Sequence, residues 1–168
     1  MLNIITASAL AAAFLSGSAL AGIAPIAPPK NDTTKAFAGL NWSFGGGSFT
    51  PEAILGVVHG STDINNDVDG GKLAMHFGLM NGFAPSKIKL SGLSGDIDSQ
   101  GELGLGFDFL GGGFFGVLGL NSGNVHLGLD IGFSGGLSGY AGLNTIGDFD
   151  PVARPRAIMV PVRAANIN

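Results

Sequence analysis

Apolar side chains fall on every second position of two neighbouring stretches. Leu103, Leu105, Phe107 and Phe109 form the first series; Val125, Leu127, Leu129, Ile131 and Phe133 form the second. Gly104, Gly106 and Asp108 fill the gaps of one, and His126, Gly128, Asp130 and Gly132 those of the other. A period of two places successive side chains on opposite faces of an extended chain, so both stretches read as β-strand. Beyond the first two dozen residues, no window long enough for a helix shows a 3.6-residue period. The chain is thereby confined to the all-β class, and what remains open is what each face looks at.

Eight such segments are expected, at residues 35–44, 49–60, 72–80, 86–94, 102–110, 114–120, 124–133 and 137–149, separated by clusters of Gly, Asn, Asp and Ser. The connections are mostly too short for a βαβ crossover, so neighbours should pair as antiparallel hairpins. The fold class that follows is an antiparallel up-and-down β-barrel of about eight strands. Most segments approach the roughly 9–11 tilted residues with which a strand crosses a bilayer, and exceed the mode of about 5–6 in globular proteins.

The two faces differ in a way that bears on their surroundings. In 72–80 the apolar face is Leu73, Met75, Phe77 and Leu79, and in 35–44 it is Ala36, Ala38, Leu40, Trp42 and Phe44. The second face carries Lys72, His76, Lys87, Lys89, Glu102, Asp108, His126 and Asp130 among many glycines. A strand face in water should be rich in Lys, Glu, Thr and Gln, with few glycines, because Gly weakens a strand. Here 30 of 168 residues are Gly and only 12% are charged, about half the usual share of roughly 25%. The lumen of an eight-stranded barrel is only just wide enough to be filled by side chains. A crowded interior of glycine and paired charges, with lipid outside, accounts for both faces. A soluble barrel or sandwich with an apolar core is the rival. Against lipid stand the weak alternation of 49–60, 86–94, 114–120 and 137–149, the single Trp and single Tyr, and the long connections expected at 61–71 and 95–101.

The organisation read from the sequence is a signal peptide at 1–21, a flexible lead-in at 22–34, the barrel domain at 35–150 and a tail at 151–168. The first 29 residues carry no charged side chain, an apolar run spans Ile4 to Leu15, and Ala19-Leu20-Ala21 fits an A-x-A cleavage site. Pro25, Pro28 and Pro29 would break a helix that continued into a membrane span.

An exported start followed by alternating, Gly-rich strands resembles the small eight-stranded outer-membrane β-barrels of Gram-negative bacteria. The likeness covers roughly residues 35–150 and is one of architecture. It implies export to the outer membrane, with outer-membrane lipid as surroundings and a protein or surface partner unspecified. Among such barrels some are adhesins or structural proteins and a few are lipid-modifying enzymes or proteases; the role expected here is structural or surface-interacting, adhesin-like and non-enzymatic. The alternatives are a soluble secreted or periplasmic Gly-rich β protein that binds a ligand or self-assembles, and a lipid-modifying barrel enzyme. Many such barrels end on an aromatic residue; this chain ends RAANIN, so Phe149 is the candidate for that place.

Few residues suggest chemistry. Asn65, Asp67 and Asp69 with Gly70 match the opening of a calcium loop, but the position of the bidentate Glu holds His76, so weak calcium binding competes with an ordinary acidic turn. No other cofactor is expected. His76 and His126 fall on the presumed inner face, where membership of a hydrogen-bond network outweighs catalysis with Asp130 or Ser91. No nucleophile elbow or phosphate-binding loop occurs; the GGG runs at 45–47 and 111–113 read as hairpin tips. The net charge of −4 excludes nucleic acid as a natural partner, and the absence of Cys excludes disulfide and thiolate chemistry.

Overall fold

The computed structural model describes residues 28–45, 47–80 and 82–153. The signal peptide expected at 1–21 and most of the expected tail lie outside them. Eight antiparallel strands run in sequence order: β1 (Asn31–Gly45), β2 (Ser48–Thr62), β3 (Asp67–Gly78), β4 (Ala84–Asp96), β5 (Ser99–Asp108), β6 (Gly113–Ser122), β7 (Val125–Gly132) and β8 (Leu137–Asn144). Each pairs with the next, and β1 pairs with β8 from Gly39↔Asn144 to Phe44↔Gly139, closing the barrel. Among the described residues there is no helix.

Several expected boundaries are corrected. β1 starts at Asn31, inside the expected lead-in, because β2 continues to Thr62 and offers the partner Asn31↔Thr62. The connection expected at 61–71 shrinks to residues 63–66, and that at 95–101 to residues 97–98. Asp67, Asp69 and Gly70 are turn formers by composition, yet they pair with Asp96, Ser94 and Leu93 in β4. At the end that carries the chain termini the turns are therefore 63–66, 97–98 and 123–124, all short. The objection raised by long connections at that end disappears. The opposite, loop end has connections at 46–47, 79–83, 109–112 and 133–136.

All eight strands alternate, including the four that looked irregular. In β2, Glu52, Ile54 and Val58 are buried while Leu55 and Val57 are exposed; in β6, Phe115 and Val117 are buried while Phe114, Leu118 and Leu120 are exposed. The inward set holds every buried charge together with two small apolar clusters, while the outward set is predominantly apolar, so the usual distribution of a soluble barrel is inverted. β8 ends at Asn144 rather than at Phe149. The chain then crosses the terminal end, with Thr145 N donating to Ala38 O at 2.9 Å and Phe149 N to Ile97 O at 2.9 Å. Phe149 is only 2% exposed and packs with Val58, Val68, Leu93 and Ile146. It plugs the lumen and does not stand as a lipid-facing terminal aromatic.

Inward glycines are opposed by large side chains. A Cβ at Gly56 would lie 2.6 Å from the Phe37 ring, one at Gly128 2.5 Å from the Tyr140 hydroxyl, and one at Gly142 2.5 Å from the His126 ring. Gly60 and Gly106 meet Phe149 and Phe115 in the same way. The glycine-rich face is thus the space that five ring side chains occupy. Gly56→Ala should destabilise the barrel by about 1–3 kcal/mol, the usual cost of overpacking. At the outward Gly92, an added Cβ would meet nothing nearer than 3.8 Å, so Gly92→Ala should change stability by less than about 0.5 kcal/mol. Urea unfolding of the two variants measures the contrast.

Candidate functional site: the lumen and its mouth

The polar lumen is built from side chains that the inward register of all eight strands brings together. Glu102 on β5 accepts from Lys72 at 2.5 Å, Ser91 at 2.6 Å and Asn121 at 2.9 Å, while Lys72 also donates to Asn121 Oδ1 at 3.1 Å. Asp130 on β7 pairs with Lys89 at 2.7 Å and with Lys87 at 3.5 Å. The Lys89 ammonium also stands 3.7 Å from the Tyr140 ring centre, a cation–π contact across the lumen. His126 sits between Asn41 Oδ1 at 3.2 Å and Asn144 Nδ2 at 3.1 Å, an acceptor on one side and a donor on the other, as a neutral imidazole requires.

The third cluster centres on Glu52, a residue that the sequence reading passed over. Its carboxylate accepts from Ser86 at 2.8 Å, Asn41 at 3.1 Å and Ser43 at 3.2 Å, and meets His76 Nδ1 at 3.1 Å. Lys87 lies 3.8 Å away. A β-bulge makes this possible. His76 pairs with Lys87 but Phe77 pairs with Pro85, so Ser86 is the extra residue, and both Ser86 and Lys87 reach into the lumen. The signal for Glu52 was available in the alternation Glu52, Ile54, Gly56, Val58 and Gly60, but Pro51 and the apolar run after it obscured the strand's period.

Of the residues expected in the lumen, Lys72, His76, Lys87, Lys89, Glu102, His126 and Asp130 contribute to these clusters. Asp108 does not. Its Oδ1 accepts from the backbone N–H groups of Leu110 and Gly111, both at 2.8 Å, so it caps the β5–β6 turn at the rim. The candidate calcium ligands are spread along the terminal end. Asn65 lies in the turn, and Asp69 accepts from Ser94 at 2.8 Å. The turn is organised instead by Asp63, whose carboxylate accepts from Asn65 N at 2.8 Å and Asp67 N at 3.0 Å. Among the described residues no three His, Asp or Glu side chains converge tightly enough to hold a metal ion.

Three lysines thus balance Glu52, Glu102 and Asp130 in the lumen, and each ion pair joins different strands. Such an arrangement holds a narrow barrel shut. Ser86 donates to Glu52 and Ser91 to Glu102, and His76 meets Glu52. Among the described residues the lumen is also closed at one end. Phe149 and Ile146 close the terminal end, and the space among Lys72, His76, Lys89, Glu102, His126 and Tyr140 is only about 20 Å³. At the loop end, a cavity of about 480 Å³ opens above Lys87, Asp108 and Asp130.

The outer surface is as ordered as the lumen. Phe44, Phe49, Phe77, Phe83, Phe107, Phe109, Phe114 and Phe133 all lie at the loop end, several in contact, such as Phe77 and Phe83 with ring centres 4.9 Å apart. The four loop-end connections contain no charged residue. Outside the lumen and its rim, the charged side chains of the described residues, among them Asp32, Asp63, Asp67, Asp69, Asp96, Asp98, Asp148 and Asp150, gather at the terminal end.

Comparison with known protein families, curated proteins and solved structures finds no match for this chain.

Removing one partner of a buried ion pair strands the other. Glu102→Leu should cost about 3–5 kcal/mol, and adding Lys72→Met should recover more than half of that loss. Denaturant unfolding of the single and double variants, as a double-mutant cycle, measures both.

Proposed function

We propose that this chain is an outer-membrane β-barrel with a structural and surface-interacting role rather than an enzymatic one. The observation that carries the reading is the inversion of its two faces. Leu103, Leu105, Leu118, Leu120, Leu127, Leu129 and Leu143 are exposed on the outside, whereas Lys72, Lys89, Glu52, Glu102 and Asp130 are buried inside. In water, this outer surface would be a continuous apolar patch encircling the molecule, far larger than the few hundred Å² that soluble monomers present. In a bilayer, the closed sheet satisfies every ladder hydrogen bond and the leucines face acyl chains.

The dimensions agree. On β1 the outward apolar series runs from Ala36 to Phe44, about 26 Å of strand at ~3.3 Å per residue, or roughly 20 Å of height at the ~40° tilt common in such barrels. The phenylalanine belt marks one edge of this band and the ring of aspartates the other, with the acidic end in water. The short loops offer little binding surface of their own, so surface interaction falls to the barrel mouth and the apolar ring around it. Export through an N-terminal signal peptide belongs to the same proposal.

Leu118 lies at the middle of the band, paired with Leu103 and Leu129. Leu118→Arg should cost about 2–4 kcal/mol for the barrel folded in lipid. A soluble barrel would tolerate arginine at a site 50% exposed, with a change within about 0.5 kcal/mol. Urea titration in liposomes measures the first. Fractionation of the producing cells gives the companion test: the mature protein should pellet with membranes, resist carbonate extraction and migrate differently on a gel before and after boiling. Recovery of folded protein in the detergent-free soluble fraction would defeat the proposal.

A further inference from the structure

The mouth cavity contains hydrogen-bonding capacity that the barrel does not use. Asp130 is 6% exposed and lines the cavity, and its Oδ2 has no hydrogen-bond partner. Lys87 is ion-paired with that oxygen at 3.5 Å and with Glu52 at 3.8 Å, and its one hydrogen bond goes to Ser43, at 3.3 Å. An acceptor and a donor with spare capacity thus face the same space. The remaining wall includes Asp108, Ser134, Ser138, Phe115, Leu137 and several glycines, with Phe114 at its outer edge. The volume, about 480 Å³, falls within the roughly 300–1,000 Å³ of small-molecule sites.

The mixture of charges selects the ligand. An ammonium ion placed at Asp130 meets Lys87, and a phosphate placed at Lys87 meets Asp108 and Asp130. A hydroxyl group meets neither conflict, because it accepts from Lys87 and donates to Asp130 at once. We infer that the mouth is a binding site for a neutral, hydroxyl-rich saccharide, with one hydroxyl bridging Lys87 and Asp130. The saccharide can be free or the head of a glycolipid seated at the phenylalanine belt. This gives the surface-interaction reading a ligand class, and it rests on that reading only for which compartment the mouth faces.

The test uses the full mature chain in lauryldimethylamine oxide, a detergent without sugar, or in plain buffer if the protein proves soluble. Failure of the membrane reading therefore does not prevent it. The amide signals of Gly111, Gly113 and Gly135 are followed by NMR during titration with lactose, with octyl glucoside, with ethanolamine and with inorganic phosphate. Saturable shifts with a sugar, and weaker or no shifts with the two ions, are expected. Saturation by lactose assigns a free saccharide; saturation by octyl glucoside alone assigns a glycolipid head, and both support the site. Gly113→Trp fills the cavity from a position where an added Cβ meets nothing within 4 Å, and an unchanged circular dichroism spectrum checks that the fold is retained. It should weaken binding at least about tenfold, as should Lys87→Met. Absence of saturable sugar binding overturns the inference. So does sugar binding unchanged by Gly113→Trp, or tighter binding of either ion.

Discussion

An eight-stranded barrel encloses so little space that two large side chains cannot face each other at one level. Much of this molecule follows from that limit. Phe37, Phe115, His126 and Tyr140 each lie over the glycine that is their register partner on the neighbouring strand (Gly56, Gly106, Gly142 and Gly128), and Phe149 lies over Gly60. The glycines are therefore not loose spots in the sheet; they are the complement of the rings. The same crowding brings lysines within reach of carboxylates on distant strands, as with Lys89 on β4 and Asp130 on β7. Charges held this close in a poorly hydrated lumen persist only when paired, and the pairing of three lysines with three acids leaves the interior near neutrality.

With the middle of the lumen braced by polar groups and its apolar residues confined to two small clusters, most leucines and phenylalanines lie on the outside. The resulting surface has an axis: aspartates at the terminal end, leucines around the waist, phenylalanines and uncharged tips at the loop end. The lumen has an axis as well. It is sealed by Phe149 and Ile146 at the acidic end, braced by ion pairs in the middle and open at the loop end. A polar recess of about 480 Å³ therefore lies beside its most apolar rim.

Strand number, antiparallel order and the polarity of the faces were legible in the sequence, because a period of two survives wherever Leu or Phe alternates with Gly. The lumen lysines and histidines followed from the same register. Other features depend on tertiary pairing that local composition does not reveal. Asp67, Asp69 and Gly70 have the chemistry of a turn, yet β4 holds them in a ladder. Glu52 is hidden behind Pro51, and Ser86 enters the lumen only through a bulge. The stretch FFGVLGL looked unsuited to the barrel because both its faces are apolar. In the structure Phe115 and Val117 form a small apolar cluster with Tyr140, opposite which Gly106 and Gly128 give room. Phe149, read as the end of the last strand, leaves the sheet because the plug needs an apolar group.

The central claim is that the alternating apolar face looks at acyl chains. Trp42 is the only tryptophan and lies on that face, near the phenylalanine belt. Its fluorescence, in liposomes whose lipids carry bromine on the acyl chains, reports on the claim directly. Blue-shifted emission, strong quenching by the brominated lipids and weak quenching by aqueous acrylamide are the predicted result. Emission quenched by acrylamide and indifferent to the brominated chains would contradict the account.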